Sequence, residues 1–223
     1  MSQPGLKVVN DAALKRTCMR DQIRDVLVGR ILDGKYPAGT QLKELALARE
    51  FNVSQAPIRE ALRELEGSGL VTSERYRGTR VRGADLDEMR ESYELRATLE
   101  IRAVELAVPC SPAVIAYMEA CLRGMSAAVA RSDSEAYIDD ALRLHRRLIE
   151  ASGNRVFVTV WDSLHFDVRG RIALRRMAAR GGHALLVQMH VQLIEKIRAA
   201  DVAAAKDILR TLFARVSQAF SRD

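Results

Sequence analysis

Gln55, Arg59 and Arg63 recur every four residues, and on a helix that spacing lines one polar face with an amide and two guanidinium groups. Such a row can hydrogen-bond base edges in a major groove, Gln to adenine and Arg to guanine. Ser54 stands at its start, and Arg49, Arg77, Gly78 and Arg80 lie close by in the sequence. A second set comprises Arg96, Asp140, His145 and His190. Its guanidinium can fork a carboxylate, and its imidazoles and carboxylate are types that ligate divalent metals. Catalytic spacings are missing: there is no GxSxG, no phosphate-cradling Gly loop and no HExxH. Asp139-Asp140 reads as an acidic pair near a helix start, where it suits the helix dipole.

The first row needs a helix to carry it, and residues 42–69 supply two with a tight turn between them. In the first, Leu45, Ala46, Ala48 and Phe51 fall on or near one face. Asn52-Val53-Ser54 breaks the pattern, and the Ser54 hydroxyl suits an N-cap. Pro57 fits the first turn of the second helix, and Ile58, Ala61, Leu62 and Leu65 form its apolar stripe. Gly67 and Gly69 end it. Leu70-Val71-Thr72 and Thr79-Arg80-Val81-Arg82 then read as two strands around a basic turn at Arg75-Tyr76-Arg77-Gly78. Residues 17–33 read as a preceding helix whose Ile23, Val26, Leu27 and Ile31 pack under the pair.

Helix, turn and helix followed by a basic hairpin is the form of a winged helix-turn-helix. The sequence here resembles the GntR family of bacterial transcription regulators. The resemblance is carried by residues 34–39, Leu42, Glu44, Leu45, Ala46, Val53-Ser54, Pro57-Ile58-Arg59-Glu60-Ala61-Leu62, Leu65, Gly69-Leu70-Val71 and Gly78-Thr79, and is dense over residues 17–82.

Charge agrees. Residues 1–83 hold 15 Lys and Arg against 10 Asp and Glu, an excess of +5 within the chain's +6, as a polyanion-binding module requires. Nearly half of the 223 residues are apolar, enough for a substantial core. Cys18, Cys110 and Cys121 form no CxxC pair and are odd in number, which fits reduced thiols in a cytoplasm. No signal-like segment and no apolar run of about 18 residues is expected, so the reading is of a cytoplasmic protein.

From residue 85 strand signals vanish. Helices are expected at 85–108, 112–131, 134–152, 155–180, 184–200 and 202–221, giving an all-α bundle. The expected organisation is a flexible tail at 1–16, a winged helix-turn-helix at 17–83 and an effector-binding and dimerisation bundle at 84–223. The fold class is therefore mostly α. The second half resembles the FCD domain of the FadR-type branch of the same family. Glu94-Leu95-Arg96, Leu99-Glu100, His145, residues 151–154, Met189-His190, Ile194 and Ile197 carry the likeness.

That resemblance implies a central pocket for a small carboxylate or acyl effector, often with a divalent metal held by one Asp and three His. This chain departs from the pattern. His145 and His190 match two His positions, but Ala141 and Leu212 stand where the Asp and the last His are expected. Asp140 lies five residues before His145, roughly 140° round a helix of 3.6 residues per turn. Two imidazoles leave an ion undercoordinated, so no cofactor is expected, zinc or nickel being the alternative. His165 could supply a third ligand, but nothing near it in sequence argues for it. Arg96 reads either as a carboxylate fork or as half of a surface or interhelical ion pair. Arg169, Arg171, Arg175 and Arg176 read as a solvated face or salt bridges.

The combined reading is a homodimeric repressor on a two-fold DNA operator, controlled by an organic acid or acyl effector and not an enzyme. Ser54, Gln55, Arg59 and Arg63 face the major groove. Arg49, Arg77 and Arg80 grip phosphates or the minor groove, with Gly78 permitting close backbone approach. Arg96, Asp140, His145 and His190 line the effector pocket. The alternative is a constitutive architectural protein whose bundle only dimerises.

Overall fold

The computed structural model describes residues 19–74, 78–82, 85–178 and 182–220. The expected tail, the basic turn at 75–77 and Cys18 lie outside them. Helix α1 (Met19–Leu32) precedes a short strand β1 (Gln41–Leu42), then α2 (Glu44–Glu50), α3 (Gln55–Gly67), β2 (Val71–Glu74) and β3 (Gly78–Val81). The hairpin expected from sequence is present, but β1 was not foreseen. It pairs with the free edge of β3, Gln41 opposite Arg80 and Leu42 opposite Thr79, so the antiparallel order is β1-β3-β2.

The apolar stripe of α3 is fully used: Ile58, Ala61, Leu62 and Leu65 are buried against Ile23, Leu27 and Val28 of α1. Three expected core positions are not. Val26 is exposed and Val28 replaces it; Leu45 and Ala46 are exposed while Leu47 and Ala48 are buried. Leu47, Ala48 and Phe51 share a face at i, i+1 and i+4, which turns Leu45 outward. Ser54 does occupy the N-cap of α3, yet its hydroxyl makes no capping bond.

The second part is α4 (Leu86–Ala107), α5 (Pro112–Ala130), α6 (Ser134–Ala151), α7 (Arg155–Ser163), α8 (Phe166–Ala178), α9 (His183–Arg198) and α10 (Val202–Ser217), ending in a 3-10 turn at Gln218–Phe220. Asp85 Oδ1 accepts from the Asp87 and Glu88 N–H groups to start α4, and Ser111 with Pro112 starts α5. The single helix expected over 155–180 is two. His165 takes a φ of 49° between them, and its ring packs over Gly67 of α3, where a Cβ would lie 2.5 Å from His165 Nε2. A contact between the two parts of the chain therefore accompanies a break that local sequence does not announce.

Helix α5 corrects another expectation. By length and composition it is apolar enough to cross a membrane, with a mean hydropathy of 1.3 over 18 residues. It packs against α6 and α9, burying Met118, Cys121 and Met125.

Charged contacts tie the two parts together. Arg24 of α1 meets Asp167 of α8 at 3.2 Å, Arg175 meets Asp33 at 3.2 Å, and Glu88 of α4 receives both Arg169 at 2.7 Å and Arg82 at 3.0 Å. Arg169 is buried, so it is no part of a solvated face; it also donates to the Leu164 carbonyl. Arg171 and Arg175 do make the expected salt bridges, to Asp139 and Glu135, and Arg176 donates to the Ala219 carbonyl.

Candidate nucleic-acid interface and buried polar site

Ser54, Gln55, Arg59 and Arg63 are all exposed along the open face of α3. Arg59 does not float free there. Its Nε donates to Glu44 Oε2 at 3.1 Å and its Nη2 to the same oxygen at 2.9 Å. That hydrogen bond and charge raise the Arg59 pKa above its ordinary value. Arg49 is exposed in the last turn of α2. Arg80 on β3 is exposed and donates to the Gly39 carbonyl at 3.1 Å. Gly78 opens β3 with φ 78°, a conformation that strains any residue bearing a Cβ. Arg77 lies outside the described residues. The arrangement offers a row of amide and guanidinium donors on one helix, flanked by cations from a strand and a neighbouring helix.

The second set lies deep in the bundle, and it includes a residue not singled out as a ligand from sequence. Glu100 is fully buried. Its Oε1 accepts from Arg96 Nε at 2.7 Å, and its Oε2 pairs with His145 Nδ1. His145 Nε2 lies 3.0 Å from His190 Nε2, and His190 Nδ1 lies 2.6 Å from the Leu186 carbonyl. Hydrogens can be assigned along this chain from the acceptors. Leu186 O only accepts, so His190 Nδ1 carries a hydrogen. Burial, with His145 beside it, pushes His190 down to about 3, so its ring is neutral and its Nε2 accepts from His145 Nε2. A proton must then lie between His145 Nδ1 and Glu100 Oε2, both otherwise acceptors. Burial pushes Glu100 up, but His145 and Arg96 together bring it below the usual carboxylate range.

Arg96 is 2% exposed and sits among aromatic rings, 4.7 Å from the Trp161 centroid, 5.3 Å from Phe213 and 5.4 Å from Tyr93. Arg96 is half of an ion pair, but a buried one within α4 and not on the surface or between helices. It meets Glu100 through Nε alone while Nη1 turns to the Tyr93 hydroxyl, so it does not fork that carboxylate. The Tyr137 hydroxyl is buried with no hydrogen-bond partner.

Asp140 does not belong to this set. Its carboxylate points at α5, where a Cβ on Gly124 would lie 1.9 Å from Oδ2, and it pairs with Arg143 at 3.2 Å. The five-residue offset from His145 carries it round to another face of α6. A divalent metal does not fit the residues present. Ala141 and Leu212 are buried and offer no donor, Glu100 meets His145 on the nitrogen turned away from His190, and His165 packs on Gly67. Among the described residues no group of three metal-ligating side chains converges. The i, i+4 spacing of Arg96 and Glu100 was visible in sequence; the burial that gives Glu100 its role was not.

Comparison with known proteins gives a matching picture. The sequence model of the bacterial regulatory proteins, gntR family, matches residues 19–81, and that of the FCD domain matches residues 91–215. A Paenarthrobacter nicotinovorans protein named "Probable D-xylose utilization operon transcriptional repressor" is 27% identical over 196 residues, 88% of this chain and 86% of that protein. The gluconate operon transcriptional repressor of Bacillus subtilis strain 168 is 28% identical over 136 residues, 60% of this chain and 56% of that protein. Among solved structures, a GntR transcriptional regulator from Rhodococcus sp. RHA1 superposes with a TM-score of 0.72 at 20% identity, covering 92% of this chain and 98% of that one. E. coli McbR/YncC gives 0.71 at 21%, covering 91% and 98%.

Proposed function

This chain belongs to the gntR family of bacterial regulatory proteins and carries an FCD domain, and from that premise we propose that it is a homodimeric, cytoplasmic repressor released or retained by a small organic effector. It is a transcription regulator and not an enzyme. Residues 17–83 form the reading head and residues 84–223 the effector-binding and dimerisation unit. The observation that carries the reading is the exposed row on α3, with Arg59 held in place by Glu44. Ser54, Gln55, Arg59 and Arg63 read the major groove, and Arg49, Arg77, Gly78 and Arg80 follow the backbone. One head covers a short half-site, so a two-fold pair supplies selectivity.

The effector is a small carboxylate or acyl compound received by Arg96, His145 and His190. Its carboxylate competes with Glu100 for Arg96. Displacing Glu100 breaks a buried pair, so binding and packing of the bundle are coupled. One feature favours the second reading, a constitutive protein whose bundle only dimerises: the Arg96–Glu100–His145–His190 chain is already satisfied without a ligand.

Selection of bound sites from random DNA, with and without small organic acids, separates the two. The regulator yields a two-fold sequence whose recovery changes with an acid. The constitutive protein yields the same sequence regardless.

A further inference from the structure

A cleft of about 470 Å³ separates α1 and α3 from α6, α7 and the turn at His165. It lies outside the buried Arg96–His190 chain, and its volume falls in the range of small-molecule sites. Trp161 and Leu142, both buried, form its floor, while Tyr117 is half-exposed at its lip. Guanidinium groups approach from both sides, Arg24 on α1 and Arg146 and Arg147 on α6.

Their satisfaction is unequal. Arg24 is taken up by Asp25, Glu64 and Asp167. Arg146 is shared between Glu150 and Asp162. Arg147 has one long contact, Nη1 to Glu150 Oε2 at 3.3 Å, from a carboxylate that already serves Arg146. Its Nε is buried with no hydrogen-bond partner. A guanidinium donor shut off from water and left unpaired is costly, and in folded proteins such groups are rare. Its Cζ stands 5.7 Å from the Tyr117 ring centroid, so a cation and an apolar ring are offered side by side.

We propose that this cleft is a second ligand site, for an organic monocarboxylate with a flat apolar body. The carboxylate takes the Nη groups of Arg147, whose side chain is one-third exposed although its Nε is shut off, and the body lies between Tyr117 and the Trp161–Leu142 floor. An Arg fork selects a planar carboxylate over a neutral amide of the same shape, because the amide brings a donor where only acceptors are wanted. The occupant also touches α1 across the cleft. Its binding therefore bears on how the reading head sits on the bundle, whichever ligand the buried chain accepts.

Trp161 is the chain's only tryptophan and lies both on the cleft floor and against Arg96, so its emission reports a ligand at either place, and the Arg147 and Tyr117 variants assign the response to the cleft. Phenylacetate titrated into the full chain in the absence of DNA is expected to change that emission saturably in the millimolar range or below. Phenylacetamide is expected to change nothing. Arg147→Gln should weaken the phenylacetate response by about tenfold or more, and the exposed control Arg131→Gln should keep it. Should Arg147→Gln melt early, Tyr117→Ala at the lip is the second variant, with the same weakening expected. A flat phenylacetate titration, an equal response to phenylacetamide, or wild-type affinity in Arg147→Gln (or, where that variant melts early, in Tyr117→Ala) would each overturn the proposal. Because no DNA is present, none of these results depends on the operator reading.

Discussion

Glu44 and Arg59 form a two-pronged ion pair across the turn between α2 and α3, with Arg59 Nε and Nη2 both within 3.1 Å of Glu44 Oε2. The pair fixes the plane of a guanidinium that is otherwise half-exposed. A pre-set fork loses less freedom when it meets a guanine edge. Glu44→Gln should therefore lower discrimination between operator and scrambled duplex by about tenfold, the lower end of what one bidentate contact supplies. Scrambled-duplex affinity should rise at the same time, since a negative charge beside the phosphates is gone. Fluorescence anisotropy on both duplexes checks this; an unchanged ratio means Glu44 only neutralises Arg59.

Gln55 stands one residue past the N-cap of α3, exposed and at the head of the row. Its amide pairs best with adenine N6 and N7, whereas Arg at that place prefers guanine N7 and O6. Gln55→Arg is expected to shift preference at one operator position toward guanine by about 1–3 kcal/mol. Site selection with the variant measures it, and identical preferences at every position would refute the placement of Gln55.

Much of this was legible beforehand, for a physical reason. The stripe of α3 and the alternation of β3 are local periodicities, and a local period fixes which face is buried. What escaped was set by distant partners. The α7–α8 break places His165 over Gly67, nearly a hundred residues away in sequence. The Leu45 to Leu47 swap depends on which way α2 rolls once Leu42 joins β3. Glu100 looked like any helix-surface carboxylate until His145 was brought to it from α6, and Asp140 missed the pocket because five residues is the wrong fraction of a turn.

The buried chain gives the protein an acid-sensitive core. Folding holds His190 neutral down to about 3, while in the unfolded chain it takes up a proton near 6.5. As pH falls through that window the unfolded state binds the extra proton, so stability declines, by up to about 1.4 kcal/mol per pH unit. Glu100 acts in the same direction: its lowered pKa contributes stability that is present above the ordinary carboxylate range and lost as pH falls through the folded value. Thermal unfolding between pH 7 and 4 should show the decline, and His190→Asn should flatten its upper part. A wild-type profile flat across that range would contradict the assignment.

Without donors at Ala141 and Leu212, and with Asp140 turned to α5, the two imidazoles do not assemble a metal centre. Protein purified without added metal is expected to carry well under one transition-metal ion per chain, and chelator should leave its Tm unchanged. Near-stoichiometric zinc or nickel by elemental analysis, lost in His145→Ala, would show that other donors complete the site.

If the exposed face of α3 reads DNA sequence, Arg59→Ala removes a guanidinium from the middle of that row. The measurement is the affinity of wild type and variant for the selected operator and for random duplex, at one salt concentration, with light scattering to confirm an intact dimer. Operator affinity in the variant is expected to fall to near that for random duplex, with the dimer persisting. Wild-type operator affinity in Arg59→Ala would contradict that reading of α3.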